Sequence, residues 1–482
     1  MINEAQVAHL KNWDEAERAA EAMIPLVGSL YRDHSVEISI FGRLIVKRSV
    51  NDILKAHEFA RQVESADLPP SLTLELVKTL YELPLAPSHI DIGKLQVKYA
   101  EAGNGQPLVD FLKNELAEIC ASEQKEAAQK DVVLYGFGRI GRLLARLMAD
   151  RTGGGRGIQL RAIVVRKGKG NDLLKRASLL RFDSVHGPFK GVVEVDEPNS
   201  SLIVNGQQIR VIYSDSPELV DYSQYGINNA VVVDNTGKWR DEEGLSLHLQ
   251  AKGVSQVLLT APAKGDIKNI VHGINNELIV ENDRILSAAS CTTNAITPVL
   301  KAVDDKFGIV NGHVETVHSY TNDQNLIDNY HKGDRRGRSA VLNMVLTETG
   351  AAKAVAKALP KMEGRLTGNS VRVPTPNVSI AILNLNLEKE ATKEEINDHM
   401  RYIAMHSALQ KQVDYTNSPE AVSSDFVGSR AAGVFDALAT IANGKSCVLY
   451  VWYDNEFGYA CQVVRILRQI TNASLPVYPV EQ

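Results

Sequence analysis

Val132-Val133-Leu134-Tyr135-Gly136-Phe137-Gly138-Arg139-Ile140-Gly141-Arg142 is a short apolar run followed at once by three glycines in G-x-G-x-x-G spacing. Leu143-Leu144-Ala145-Arg146-Leu147-Met148 then continues as a helix. The apolar run predicts a buried strand. Glycine at 136 permits a tight turn, at 138 a close approach to a pyrophosphate, and at 141 packing of helix on strand. Such a loop presents helix N–H groups to an anion. The spacing alone is a weak signal, but here strand context precedes it and helix context follows. Apolar strands recur at 160–165, 231–233 and 257–259, each after a helical or loop interval, which predicts an α/β fold with a parallel sheet.

The pattern changes on either side of this region. After residue 291, a helix at 297–306 is followed by an alternating, antiparallel-type strand at 378–387, a strand at 447–453 and a closing helix at 459–470. Residues 1–128 read as all helical. Ser49-Val50-Asn51-Asp52 and Pro69-Pro70-Ser71 open helices, Ser88-His89-Ile90-Asp91 has capping-box spacing with Asp for Glu, and Leu108, Leu112, Leu116 and Ile119 line one face. Pro25 ends or kinks the first helix, and 121–130 reads as a helix tail or linker. The expected organisation is an all-α extension at 1–128, a nucleotide-binding domain at 129–289 and a catalytic domain at 290–482. The closing helix, at about 459–472, is expected to pack back on the nucleotide domain.

Composition narrows the function. The 482 residues carry a net charge of −5, with 44% hydrophobic and 23% charged residues, values ordinary for a full-cored protein and no pointer to nucleic acid or membrane. No apolar run reaches the ~18 residues of a membrane span, and the first residues lack a secretory pattern. Cys120, Cys291, Cys447 and Cys461 are too scattered for a disulfide framework or a metal site, so no metal is expected and the cytoplasm is the expected setting.

Ser290-Cys291-Thr292-Thr293-Asn294 surrounds a cysteine with small hydroxyl and amide residues, and His318 follows 27 residues later. A thiol is a few per cent ionised at neutral pH, and an imidazolium neighbour would lower its pKa. If the two meet, the protein does covalent chemistry on a carbonyl. The second strand ends Val165-Arg166-Lys167-Gly168-Lys169-Gly170, without the carboxylate that usually holds a ribose 2′-hydroxyl. Arg166 or Lys167 would bind a 2′-phosphate, so NADP is expected to be accepted, alone or beside NAD; the alternative is a solvated basic loop.

From about residue 130 onward the chain resembles phosphorylating glyceraldehyde-3-phosphate dehydrogenase. The resemblance is carried by the 136–142 loop, Asp183-Ser184-Val185-His186-Gly187, the 290–294 segment, His318-Ser319-Tyr320-Thr321, Thr349-Gly350-Ala351-Ala352, Arg372-Val373-Pro374-Thr375-Pro376-Asn377 and Trp452-Tyr453-Asp454-Asn455-Glu456-Phe457-Gly458-Tyr459. It implies a Rossmann-type dinucleotide-binding domain joined to an α+β catalytic domain with a mostly antiparallel sheet. It also implies oxidation of glyceraldehyde 3-phosphate to an acyl phosphate, in glycolysis or gluconeogenesis, and a homotetramer.

By resemblance Cys291 is the nucleophile and His318 the base, with the Cys291 N–H and His318 as oxyanion donors. Gly136, Phe137, Gly138, Arg139, Ile140, Gly141, Arg166, Lys167, Thr236, Gly237, Thr260, Asn455 and Tyr459 would bind NAD or NADP. Thr321 and Arg372, with Asp323 orienting an arginine, would hold the substrate phosphate. Ser290, Thr292, Thr349, Gly350 and Arg336 would hold the attacking phosphate, with Arg335 as the alternative to Arg336. Departures include Tyr135 before the first glycine, Glu348 beside Thr349, and Leu326-Ile327-Asp328 in place of a Leu-Pro pair. Residues 1–128 have no counterpart in the ordinary family core; they are either a packing appendage or a regulatory domain. Erythrose 4-phosphate oxidation, or a regulatory protein that keeps cofactor binding, are the alternative functions.

Overall fold

The computed structural model describes residues 4–64, 67–102, 105–121, 129–150 and 157–480. They form two compact units, one built from the described residues before 129 together with Gly157 and 474–480, the other from the remainder. Of the expected 121–130 linker, residues 122–128 lie outside the described residues.

The first unit is a correction to the all-α expectation. Its helices, Glu4–His34 and Pro70–Tyr81 among them, enclose a four-stranded sheet ordered Arg43–Leu44, Val36–Ile40, Ser88–Asp91, Val477–Tyr478. Val36–Ile40 is buried at all five positions, yet its sequence, Val-Glu-Ile-Ser-Ile, alternates apolar and polar as a strand does, a signal the helical reading of this region passed over. Ser88–Asp91 is a strand and not a helix start. Asp91 does cap, but for the next helix, Ile92–Ala102, accepting from Lys94 N at 3.1 Å and holding the turn through the N–H groups of Phe41 (2.9 Å) and Gly42 (2.7 Å). Pro25 lies inside the first helix without ending it. The final strand belongs to this sheet: Val477 and Tyr478 pair in parallel with His89 and Ile90, and Tyr478 donates to Glu118 at 2.8 Å. The expected 290–482 domain therefore stops short of these last residues.

In the second unit, eight strands run in the order Ile285–Ser287, Val254–Leu259, Ala230–Asp234, Lys130–Tyr135, Ile158–Val165, Gln207–Tyr213, Ser201–Val204, Val193–Asp196. The first six are parallel and the last two form an antiparallel edge. The glycine loop leaves the central strand Lys130–Tyr135 and enters helix Arg139–Asp150. The closing helix, Phe457–Ile470, packs with that helix in one core through Tyr459, Val463 and Leu467.

The chain then forms a mixed, mainly antiparallel sheet: Val345–Glu348, Leu366–Val373, Ile309–Ser319, Ser379–Leu387, Ser446–Tyr453, Gly433–Asp436, Val413–Thr416. Ile309–Ser319 runs parallel to Leu366–Val373, which sets His318 directly beside Arg372.

Candidate active site

Cys291 is the first residue of helix Cys291–Phe307, and Ser290 is its N-cap, accepting from Thr293 N at 3.0 Å. A thiolate there faces the positive end of the helix. The preceding turn is held tightly. Ala289 has a left-handed backbone (φ 55), its carbonyl accepts from the Tyr459 hydroxyl at 3.0 Å, and the Asn294 amide donates to the carbonyls of Ala288 (2.8 Å) and Ser290 (2.9 Å). Tyr459 thus braces the nucleophile loop, besides any cofactor contact.

Cys291 Sγ lies 3.5 Å from His318 Nε2. His318 Nδ1 is 2.7 Å from the Ser319 carbonyl, which can only accept. Nδ1 thus faces an acceptor and, in Arg372, a group that can only donate; with Nδ1 protonated toward the carbonyl, the Nε2 lone pair points toward sulfur. Arg372 Nη1 sits 2.9 Å from His318 Nδ1 and donates to the same carbonyl at 3.1 Å.

Burial pushes the Cys291 thiol up. The Arg372 charge opposes this, as do hydrogen bonds from the Thr292 hydroxyl and the N–H groups of Thr292 and Cys291. Burial and then the Arg372 charge pull His318 down to about 3. Both effects disfavour an imidazolium, and Arg372 stands beside the pair as a second cation that favours the thiolate.

The anion-binding candidates converge around this pair. The Thr321 hydroxyl and Arg336 Nη1 (2.8 Å) both donate to Asp323, and Arg372 Nη1 reaches Thr321 Oγ1 at 3.5 Å. Burial works against the Asp323 carboxylate, but Thr321, Arg336 and Arg372 together hold it below the usual carboxylate range. The arginine that Asp323 orients is Arg336, so one carboxylate links the two expected phosphate groups; Arg335 has a left-handed backbone and no part in it. Arg372 Nε is buried without a hydrogen-bond partner, a donor left for an anionic ligand. Thr292 Oγ1 is 3.0 Å from the Tyr453 hydroxyl. Thr349 and Gly350 lie ahead of helix Ala351–Ala358, Thr349 Oγ1 accepting from Ala351 N at 3.2 Å, with no hydrogen bond to the Arg336 group. Glu348 is exposed.

On the nucleotide side, a cavity of about 450 Å³ opens over the glycine loop, lined by Tyr135, Gly136, Phe137, Gly138, Arg166, Thr236 and Trp239 among others. Its glycines fit a dinucleotide. Gly136 is left-handed (φ 98), a Cβ at Gly141 would lie 2.5 Å from the Gly136 carbonyl oxygen, and a Cβ at Gly138 would meet nothing within 4 Å, leaving open space where a pyrophosphate would lie. Thr236 N and Oγ1 each donate to Asp234 at 2.7 Å, and Gly237 is left-handed.

Other expected cofactor residues lie outside the lining of this cavity. Ile140 packs against the core. Thr260 Oγ1 donates to the Asp234 carbonyl at 3.0 Å and does not line the cavity. Lys167 Nζ lies over the Tyr213 ring at 5.6 Å, also outside the lining. The Arg139 guanidinium pairs with Glu456 and Asp183, so it braces the loop that carries Asn455. His186 joins the same network, 2.9 Å from Asp454. Asn455 Oδ1 accepts from Ser379 at 2.9 Å. Sequence reasoning assigned no role to Tyr453, His186, Asp183, Asp454 or Glu456; all lie in quoted motifs, and their polar side chains beside Cys291 or Asn455 were the available signal.

A glycine loop on a parallel sheet, joined to a mixed sheet that sets a histidine against a cysteine at a helix start, defines a nucleotide-dependent oxidoreductase. Residues 130–242 match the family described as glyceraldehyde 3-phosphate dehydrogenase, NAD binding domain, and residues 290–455 its C-terminal domain. A glyceraldehyde-3-phosphate dehydrogenase-like protein of Pseudomonas aeruginosa is 62% identical over 460 residues, 95% of this chain and 100% of the relative. The glyceraldehyde-3-phosphate dehydrogenases of Thermotoga maritima and Geobacillus stearothermophilus are 44% and 40% identical, covering 70% and 71% of this chain and 97% and 99% of their own. The chain belongs to the glyceraldehyde-3-phosphate dehydrogenase family. The two shorter relatives leave no room for a counterpart of residues 1–128, whereas the Pseudomonas aeruginosa protein spans most of them.

Proposed function

We propose that the protein catalyses reversible, phosphate-dependent oxidation of glyceraldehyde 3-phosphate to 1,3-bisphosphoglycerate. The observation that carries this reading is Cys291 Sγ at 3.5 Å from His318 Nε2, beside an Arg372 guanidinium with a free buried donor. The sulfur attacks the aldehyde carbon while its proton passes to Nε2 and on to the carbonyl oxygen, giving a hemithioacetal. His318 then takes back the hydroxyl proton. The nicotinamide ring, when bound, supplies the hydride acceptor that turns the hemithioacetal into a thioester. Arg372 and Thr321 hold the substrate phosphate; Arg336, Ser290, Thr292, Thr349 and Gly350 hold the attacking one. Phosphate attack releases the acyl phosphate and restores the sulfur. The N–H of Cys291, at the helix start, stabilises the oxyanion. Incubation with the aldehyde and NAD or NADP, without phosphate, should leave an acyl adduct on Cys291 by intact-mass spectrometry. An unmodified enzyme under these conditions would remove the reading.

The same reading makes the enzyme a homo-oligomer, a tetramer by family. Leu326, Ile327, Tyr330, Leu342, Met344 and Leu346, all within residues 326–346, are exposed, apolar side chains that a subunit interface would cover. Light scattering after gel filtration checks this; a monomer at micromolar concentration refutes it. All four cysteines are free, which supports a reducing cytoplasm. Among the described residues, no helix is long and apolar enough to cross a membrane.

A further inference from the structure

The basic run after strand Ile158–Val165 is a folded loop with its only carboxylate committed. Asp172 accepts from Arg176 Nε at 2.7 Å and from Gly168 N at 3.2 Å, and Arg176 Nη2 donates to the Arg166 carbonyl at 2.9 Å. A Cβ at Gly168 would fall 2.3 Å from Asp172 Oδ1, so a side chain there would displace this carboxylate. What this bracing leaves over is the Arg166 side chain. It lines the cavity above the glycine loop and makes no hydrogen bond or ion pair among the described residues.

Val165 pairs with Tyr213, so Arg166 and Ser214 emerge side by side from the carboxyl ends of neighbouring parallel strands, where open α/β sheets bind nucleotides. Two further cations, Arg176 and Lys238, share the wall with Arg166. Asp215 is the one carboxylate among the lining residues, and it is exposed.

We infer that this cavity selects a nucleotide whose ribose carries a 2′-phosphate, with Arg166 as the residue that reads it. The inference rests on the dinucleotide reading of the glycine loop. A 2′-hydroxyl finds no carboxylate at the end of strand Ile158–Val165 and, in the lining, only the exposed Asp215, whereas a 2′-phosphate finds the unpaired guanidinium of Arg166 with Arg176 and Lys238 on the same wall. Lys167, over the Tyr213 ring, is not the reader, although it is adjacent in sequence.

Calorimetric titration of the whole protein with adenosine 2′,5′-bisphosphate and with 5′-AMP tests this without catalysis. The bisphosphate should bind about tenfold tighter or more, as one to two charge-assisted hydrogen bonds imply, and the gap should narrow as salt rises. Arg166→Ala should shrink the ratio to within about threefold, and Lys167→Ala should leave most of it. Equal binding of the two nucleotides, or a ratio that survives Arg166→Ala, overturns the proposal. NADH and NADPH titrated in parallel separate the two levels. If they bind equally, the 2′-phosphate selection fails alone; if neither binds, the dinucleotide reading fails with it.

Discussion

Replacing Tyr459 by Phe removes one oxygen and keeps the ring. That oxygen donates, at 3.0 Å, to the buried carbonyl of Ala289, for which no other donor is seen among the described residues; the Ala289 N–H donates to Ser287 Oγ. Leaving a buried carbonyl unpaired costs about 1–3 kcal/mol. Ala289 itself adopts φ 55, a conformation that costs an alanine roughly 1 kcal/mol more than a glycine. The turn is thus held against its own preference, two residues before Cys291. Without the hydroxyl, populations with Cys291 displaced should grow by about 5- to 100-fold relative to the native turn. The assay is steady-state oxidation of glyceraldehyde 3-phosphate beside urea unfolding. The expected result is a kcat reduced by about 5- to 100-fold if that displaced population dominates, KM within about threefold, and a lower unfolding midpoint. Adding Ala289→Gly should restore part of both losses, because glycine accepts the left-handed turn without strain. Unchanged kcat and midpoint in Tyr459→Phe, or no rescue by Ala289→Gly, would refute the bracing argument.

The two loop glycines should behave differently. Gly138→Ala, which meets no neighbour, should leave stability within about 1 kcal/mol yet weaken dinucleotide binding about tenfold, whereas Gly141→Ala, driven against the Gly136 carbonyl, should lose about 1–3 kcal/mol of stability; thermal unfolding and cofactor titration separate them. His318 titrates at about 3 in the fold against about 6.5 unfolded, so the unfolded chain binds the extra proton and stability drops as pH falls from about 6.5 toward 3. His318→Asn should therefore flatten the stability-versus-pH slope by up to about 1.4 kcal/mol per pH unit between pH 6 and 4; an unaltered slope contradicts the neutral imidazole. Tyr478→Ala empties a core position of the first unit and should cost it about 3 kcal/mol, read as faster hydrogen exchange in residues 36–40 and 88–91; unchanged exchange would mean the C-terminal strand contributes nothing there.

The nucleotide half was legible because its signals are local: glycines at fixed spacing, and apolar strands between helices. Cys291 and His318 were legible from their neighbours in sequence. The first unit was not: the alternation of Val36-Glu37-Ile38-Ser39-Ile40 is only five residues long between helical stretches, and the sheet is completed by residues 477–478 from the far end of the chain. The second cation of the site was hidden for a similar reason. Arg372, 81 residues beyond Cys291, comes beside His318 only through the parallel pairing of two strands. The Asp323–Arg336 link likewise depends on the fold of a loop, so the two phosphate groups looked separate when they share a carboxylate.

The central claim is that Cys291 carries the acyl group in a phosphate-dependent aldehyde oxidation. Steady-state NADH or NADPH formation from glyceraldehyde 3-phosphate, with and without inorganic phosphate, in wild type and Cys291→Ala, tests it most directly. The account predicts turnover that depends on phosphate and vanishes in Cys291→Ala. Turnover that persists in Cys291→Ala, or that is absent from the wild type with both cofactors, would contradict it.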